Sequence, residues 1–114
     1  MQGLAGSLTP AGSGNVCIII SGTIIPQASH GIEYQISYGT GAPPGSNASL
    51  VGTQIGAIQE YESSLLTGAI PFSLAAVVTG LTLSTTYWID LAAKAIGAAT
   101  TVELQNVSIT AFEF

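Results

Sequence analysis

Ile32, Tyr34, Ile36 and Tyr38 alternate with Glu33, Gln35 and Ser37. One set is apolar and the other polar. A strand separates the two sets onto opposite faces, because its side chains repeat every second residue. A half-buried strand cannot stand alone, so the rest of the chain has to supply its sheet partners.

Several stretches qualify. Val16–Ile25 is β-branched, bounded by Gly14 and Pro26, and apolar on both faces. That pattern predicts a strand that is central or packed on both sides, with a bulge at Gly22. Leu50–Gly56 and Ala57–Ser63 read as two short extended pieces punctuated by Gly52 and Gly56. Ile70–Val78 is a strand whose Pro71 lies near its start, where a missing N–H is tolerated. In Thr79–Lys94 a turn leads into an aromatic strand that holds the only Trp and the only basic residue. There Tyr87, Ile89, Leu91 and Ala93 share one face; Trp88, Asp90, Ala92 and Lys94 share the other. A helix competes for this stretch, with Ser84 as its cap and Asp90–Lys94 as an i,i+4 pair. The β-branched and aromatic start, Thr85-Thr86-Tyr87-Trp88, favours the strand, with room for one helical turn in Ala92–Ala99. Thr101–Phe114 alternates too, but its phase switches at Gln105-Asn106, which implies a bulge or kink.

Seven or eight short strands with Gly/Pro turns predict an all-β fold, an antiparallel β-sandwich or barrel. A chain of 114 residues suits a jelly-roll-like sandwich, favoured here over an immunoglobulin- or fibronectin III-like one. One domain is expected over 15–114. Residues 1–14, rich in Gly, Ser, Ala and Thr, read as a flexible N-terminal arm. They contain neither a basic n-region nor an apolar h-region, so no signal peptide is expected. Gly39–Ser49 is a long loop in which Pro43-Pro44-Gly45 opposes regular pairing. Pro43, Pro44 and Asn47 are its candidate exposed recognition residues.

Charge excludes whole classes of partner. Only 6% of residues are charged, with one Lys, no Arg and a net charge of -5. Neither nucleic acid nor an anionic membrane surface is an expected partner of such a chain. Mean hydropathy is +0.56, yet the longest apolar runs, Val16–Ile20 and Leu74–Val78, are far too short for a spanning helix. A domain with several buried faces is the expected resolution, with some apolar surface covered by further copies of the chain. Phe112 and Phe114, on an apolar C-terminus, are the candidate interface residues.

Reaction chemistry is sparse. Cys17 is single and reads as a buried, inert thiol; Ser29, His30, Cys17 and Asp90 form no recognisable nucleophilic motif. Glu60 and Glu62 are the only close carboxylate pair, and no acidic loop completes a calcium site around them. One Cys and one His do not make a zinc site. No phosphate loop follows Gly39-Thr40-Gly41, and the two Asn-x-Ser patterns at Asn47 and Asn106 read as chance. The expectation is a non-enzymatic protein with no cofactor and no metal.

Two resemblances add to this. The segments YGTGAPPGSNASLVGTQIG (38–56), PFSLAAVVTGLTLSTTYWIDLA (71–92) and NVSITAFEF (106–114) resemble, in pattern and composition, small β-domains of tailed-bacteriophage structural proteins. Such domains decorate capsids or form fibres, commonly as trimers. The resemblance implies a virion protein, a homotrimer bound to the major capsid or another virion protein, on the outside of the particle and without catalysis. Leu81-x-x-x-Thr85-x-Tyr87 is similar to the tyrosine corner of fibronectin type III domains, although Leu83 stands where that motif usually has Pro. The alternative function is a receptor- or glycan-binding module of a tail fibre, with Trp88 and Asp90 as candidate sugar contacts. It requires Trp88 to be exposed.

Overall fold

The structure, a computed structural model, describes residues 1–25, 30–63, 69–97 and 103–114. Among them lie seven strands and no helix: β1 (Gly6–Leu8), β2 (Val16–Ile25), β3 (His30–Thr40), β4 (Thr53–Ser63), β5 (Ile70–Val78), β6 (Tyr87–Gly97) and β7 (Glu103–Glu113). They form two sheets, β1-β6-β3-β4 and β5-β2-β7, with every pairing antiparallel. The two sheets pack face to face as a β-sandwich. Strand pairs nest outward from the β3–β4 connection: β3 with β4, β2 with β5, β1 with β6.

The inward-facing alternation drives the packing. Val16, Ile18, Ile20 and Ile24 of β2 meet Ile32, Tyr34 and Ile36 of β3, with Phe72, Leu74 and Val78 of β5 and Ile89 and Leu91 of β6 closing the core. Burying each aliphatic side chain contributes about 1.5–3 kcal/mol. The rings of Tyr34 and Phe72 bridge the sheets at 5.1 Å with a 58° tilt, a favourable edge-to-face geometry.

Bulges fall where the sequence changes phase. The β2–β7 register shifts between Ser21 and Thr23, setting the single residue Gly22 against both Asn106 and Val107 of β7; Asn106 has φ 53°. A Cβ on Gly22 would press on Phe72 and Val107, so the absence of a side chain lets the bulge close. The two short pieces expected over 50–63 are one strand instead. Gly56, at φ 77°, lets β4 bulge past Gln35, whose Nε2 donates to the Gly56 carbonyl at 2.6 Å. The helical turn allowed in Ala92–Ala99 does not form over the described part, because β6 continues to Gly97 in register with β3.

The first fourteen residues differ from a flexible arm. Gly6–Leu8 pair with β6 as β1. Ahead of them, the buried Asp90 collects three backbone N–H groups: Gly3 on Oδ2 at 2.9 Å, and Leu4 and Leu91 on Oδ1 at 3.0 and 2.8 Å. Beyond β1, Glu113 gathers four more, from Ala11, Gly12, Ser13 and Gly14, at 2.6–2.9 Å. Glycine and small residues let this backbone curl around a carboxylate. Two acidic side chains therefore hold the segment that composition alone leaves loose.

Replacing Asp90 by Ala strands one buried and two partly buried donors, which costs about 2–3 kcal/mol. Chemical denaturation is expected to register that loss, with Asp90→Asn intermediate because it retains one acceptor. The Glu113 carboxyl is lowered from 4.5 to about 2, first by the Ala11 N–H, then by those of Gly14 and Gly12. Because its folded value lies below its unfolded one, the clamp's stabilisation is complete above about pH 4.5 and fades as pH falls towards 2. The thermal midpoints of the parent and Glu113→Gln are expected to differ at neutral pH and to converge near pH 2.

Candidate interaction surfaces

The outward face of the β5-β2-β7 sheet is set by the register. Val77, Cys17 and Phe112 form one row; Ala75, Ile19 and Thr110 the next; Ser73, Ser21 and Ser108 the third. No charge enters these rows. Val77 is 51% exposed, Phe112 47% and Phe114 59%. The Phe pair projects from the end of β7 on this face, so the apolar end of the face is the end the sequence singled out. Cys17 differs from a buried thiol. It lies half-buried in the first row, because odd-numbered residues of β2 point away from the core. The acidic residues Glu33, Glu60 and Glu62 lie on the opposite side of the molecule, where Glu33 pairs with Glu60 on the outer face of the other sheet.

That other outer face is partly covered by the chain itself. Met1 packs on Trp88 and Ala92, with Ala48 against them. Beside this cluster is a trough of about 340 Å³ between Ala48, Leu50, Ile58, Ala92 and Lys94. Its Lys94 and Glu33 oppose each other across β6 and β3, so the single cation has a carboxyl neighbour.

Trp88 and Asp90 do not present a sugar-binding platform. Trp88 is 6% exposed and Asp90 1%. The indole Nε1 donates to the Thr40 carbonyl at 3.1 Å, and the ring lies over Gly39 and Gly52, where a Cβ would collide with it. Both Asp90 oxygens already accept backbone N–H groups. The reason is the N-terminal segment, which seals the outer face of β6. No local pattern in Tyr87–Lys94 reveals that cover, because it comes from more than eighty residues away.

Pro43 and Asn47 are exposed and Pro44 is half-buried, on the loop between β3 and β4. The Asn47 N–H donates to the Met1 carbonyl at 3.0 Å, so the loop is tied to the N-terminal segment. Asn47 has φ 63°, a left-handed conformation that Asn tolerates better than most residues.

The loose catalytic constellation does not assemble. Cys17 is on the outer face of one sheet and Asp90 under the N-terminal segment of the other, with the core between them. His30 begins β3, and its register is about 23 Å along the strand from that of Asp90, which pairs with Ser37. Ser29 lies outside the described residues. Among the described residues no three His, Cys, Asp or Glu side chains come together as a metal site. The Tyr87 hydroxyl accepts the Thr82 N–H at 3.0 Å, the hydrogen bond of a tyrosine corner. Compared with protein-family models, curated proteins and solved structures, the chain matches none of them.

The single Trp makes its burial measurable. Fluorescence is expected to peak at short wavelength and to resist acrylamide quenching, and Asp90→Ala is expected to shift emission to the red by loosening the cover.

Proposed function

We propose that this chain is a non-enzymatic structural module on the outside of a bacteriophage particle, where it associates with copies of itself and with a capsid or other virion protein. The observation that carries the self-association is the charge-free part of the outer face of β5-β2-β7, the rows from Val77–Cys17–Phe112 to Ser73–Ser21–Ser108, with Glu103 on that face only at its far end. Its central strand is apolar on both sides, and the described residues cover only the inner one. An exposed apolar surface of this kind marks an interface. On a chain of net charge -5, the charge-free face is where copies approach with least repulsion. The virion assignment rests on the resemblance of residues 38–56, 71–92 and 106–114 to phage β-domains. The nested strand pairing supports the jelly-roll form of the sandwich, whereas the tyrosine-corner hydrogen bond is a feature that immunoglobulin-like sandwiches share.

Glycan recognition by a fibre tip is the competing reading. With Trp88 buried it lacks its aromatic platform, and the exposed loop around Pro43 and Asn47 is what it has left.

The decisive experiment incubates the purified protein with phage particles stripped of their outer accessory proteins and measures co-sedimentation. Saturable binding is expected, with self-association little changed between low and high salt because so few charges contribute. Absence of binding to particles, together with saturable binding to a glycan, would overturn the structural role.

A further inference from the structure

The nested pairing leaves one strand short of a partner. Pairs β3–β4, β2–β5 and β1–β6 build outward in order, and the next position, beside β7, is empty among the described residues. β7 is eleven residues long and, among the described residues, bonded along one edge only. Its inward side chains Leu104, Val107, Ile109 and Ala111 pack on the core yet stay half-buried. The strand across the sandwich at that corner is β1, only three residues long, so the corner is open.

The other edges are better guarded. β4 is broken by its bulge at Gly56 and carries Glu60 and Glu62; β5 holds Pro71 and is flanked across the sandwich by β4. Exposed edges are normally protected by Lys, Pro or a bulge. From Val107 to Phe112, β7 has none of these and no charge. The bulge at Gln105–Asn106 ends the straight part, which therefore runs from Val107 to Glu113 with Thr110 at its midpoint.

We propose that β7 pairs with the β7 of a second copy, antiparallel about a twofold axis through Thr110, so that two three-stranded sheets become one of six. An antiparallel edge is complementary to itself under a twofold, which makes a second copy the occupant that fits. The register places Ser108 opposite the partner's Phe112, an uncharged pair, and keeps Glu103 outside the ladder. A register centred on Ser108 would instead set Glu103 against the partner's Glu113 and draw the bulge into the ladder. The charge-free rows of the two outer faces then run on as one surface, with Phe112 two residues from the axis and Phe114 just past the end of the ladder. Seven residues span about 24 Å. Only one of the two sheets has this edge, so the contact is narrow and the pair buries less than the usual range of about 1,200–2,000 Å². The dimer is therefore reversible and concentration-dependent. A twofold replaces the threefold that the family resemblance implies.

This pairing rests on the self-association proposed above, and the test separates the two. Light scattering on the full chain, from low to high micromolar concentration, is expected to approach twice the 11.5 kDa chain mass. In a Cys17→Ser background, Thr110→Cys is expected to form a disulfide-linked dimer on mild oxidation, because on-axis Cβ atoms lie about 4.5–5.5 Å apart. Ser73→Cys, on the same face but two strands away, is expected to stay unlinked. Thr110→Lys sets two ammonium groups face to face, lowering the association constant about tenfold or more while leaving Trp88 emission unchanged. An oligomer that forms without the Thr110 link, links at Ser73 instead, or ignores Thr110→Lys would reject the β7 edge and leave self-association standing. A monomer at every concentration would reject both.

Discussion

β6 carries apolar side chains on both faces, and the fold depends on both sets being covered. Ile89 and Leu91 face the core between the sheets, whereas Trp88 and Ala92 face outward. An indole left on an open sheet face would forfeit a large apolar burial. Residues 1–8 provide the cover, and Asp90 is what fastens them. Its carboxyl group sits between the strand it belongs to and the segment laid over it, accepting N–H groups from each. A buried carboxyl is tolerable only when its oxygens are hydrogen-bonded. The same bonds that make Asp90 tolerable there hold the N-terminal segment in place.

β2 poses the same problem in the other sheet, and the chain answers it differently. Its even-numbered residues fill the core; Cys17 and Ile19 look outward from the middle of β5-β2-β7. No segment among the described residues lies over them. The asymmetry between the sheets is thus one of supply: the chain's spare backbone, residues 1–14, goes to β6 and to the Glu113 clamp. Outside β2 and β7 the described residues lay no such cover.

That division also sorts the candidate functions. Residues that looked chemically suggestive, Trp88 with Asp90, are consumed in holding the fold. Residues that looked bland, the Val, Ala, Ser and Thr of the outer rows with Phe112 and Phe114, are the ones presented to solvent. A surface so poor in charge and hydrogen-bonding chemistry suits packing against a like surface better than selective capture of a polar ligand.

Strand identity was legible in the sequence wherever alternation or β-branching was strong. β2 and β5 run over the residues their composition marks, and the phase switch at Gln105-Asn106 located the bulge of β7, because each of these signals is local to one strand. The continuity of β4 was not legible, since Gly56 looks like a break until Gln35 of the neighbouring strand bonds across its bulge. Nor was the fate of residues 1–14, of Trp88 or of Asp90. The sequence by itself determined that the chain is built of strands, which of their faces are apolar and where β2 and β7 bulge. Tertiary structure alone decided which apolar faces are covered, because Asp90 and Glu113 each bind backbone more than eighty residues distant, and no local pattern encodes a contact of that span.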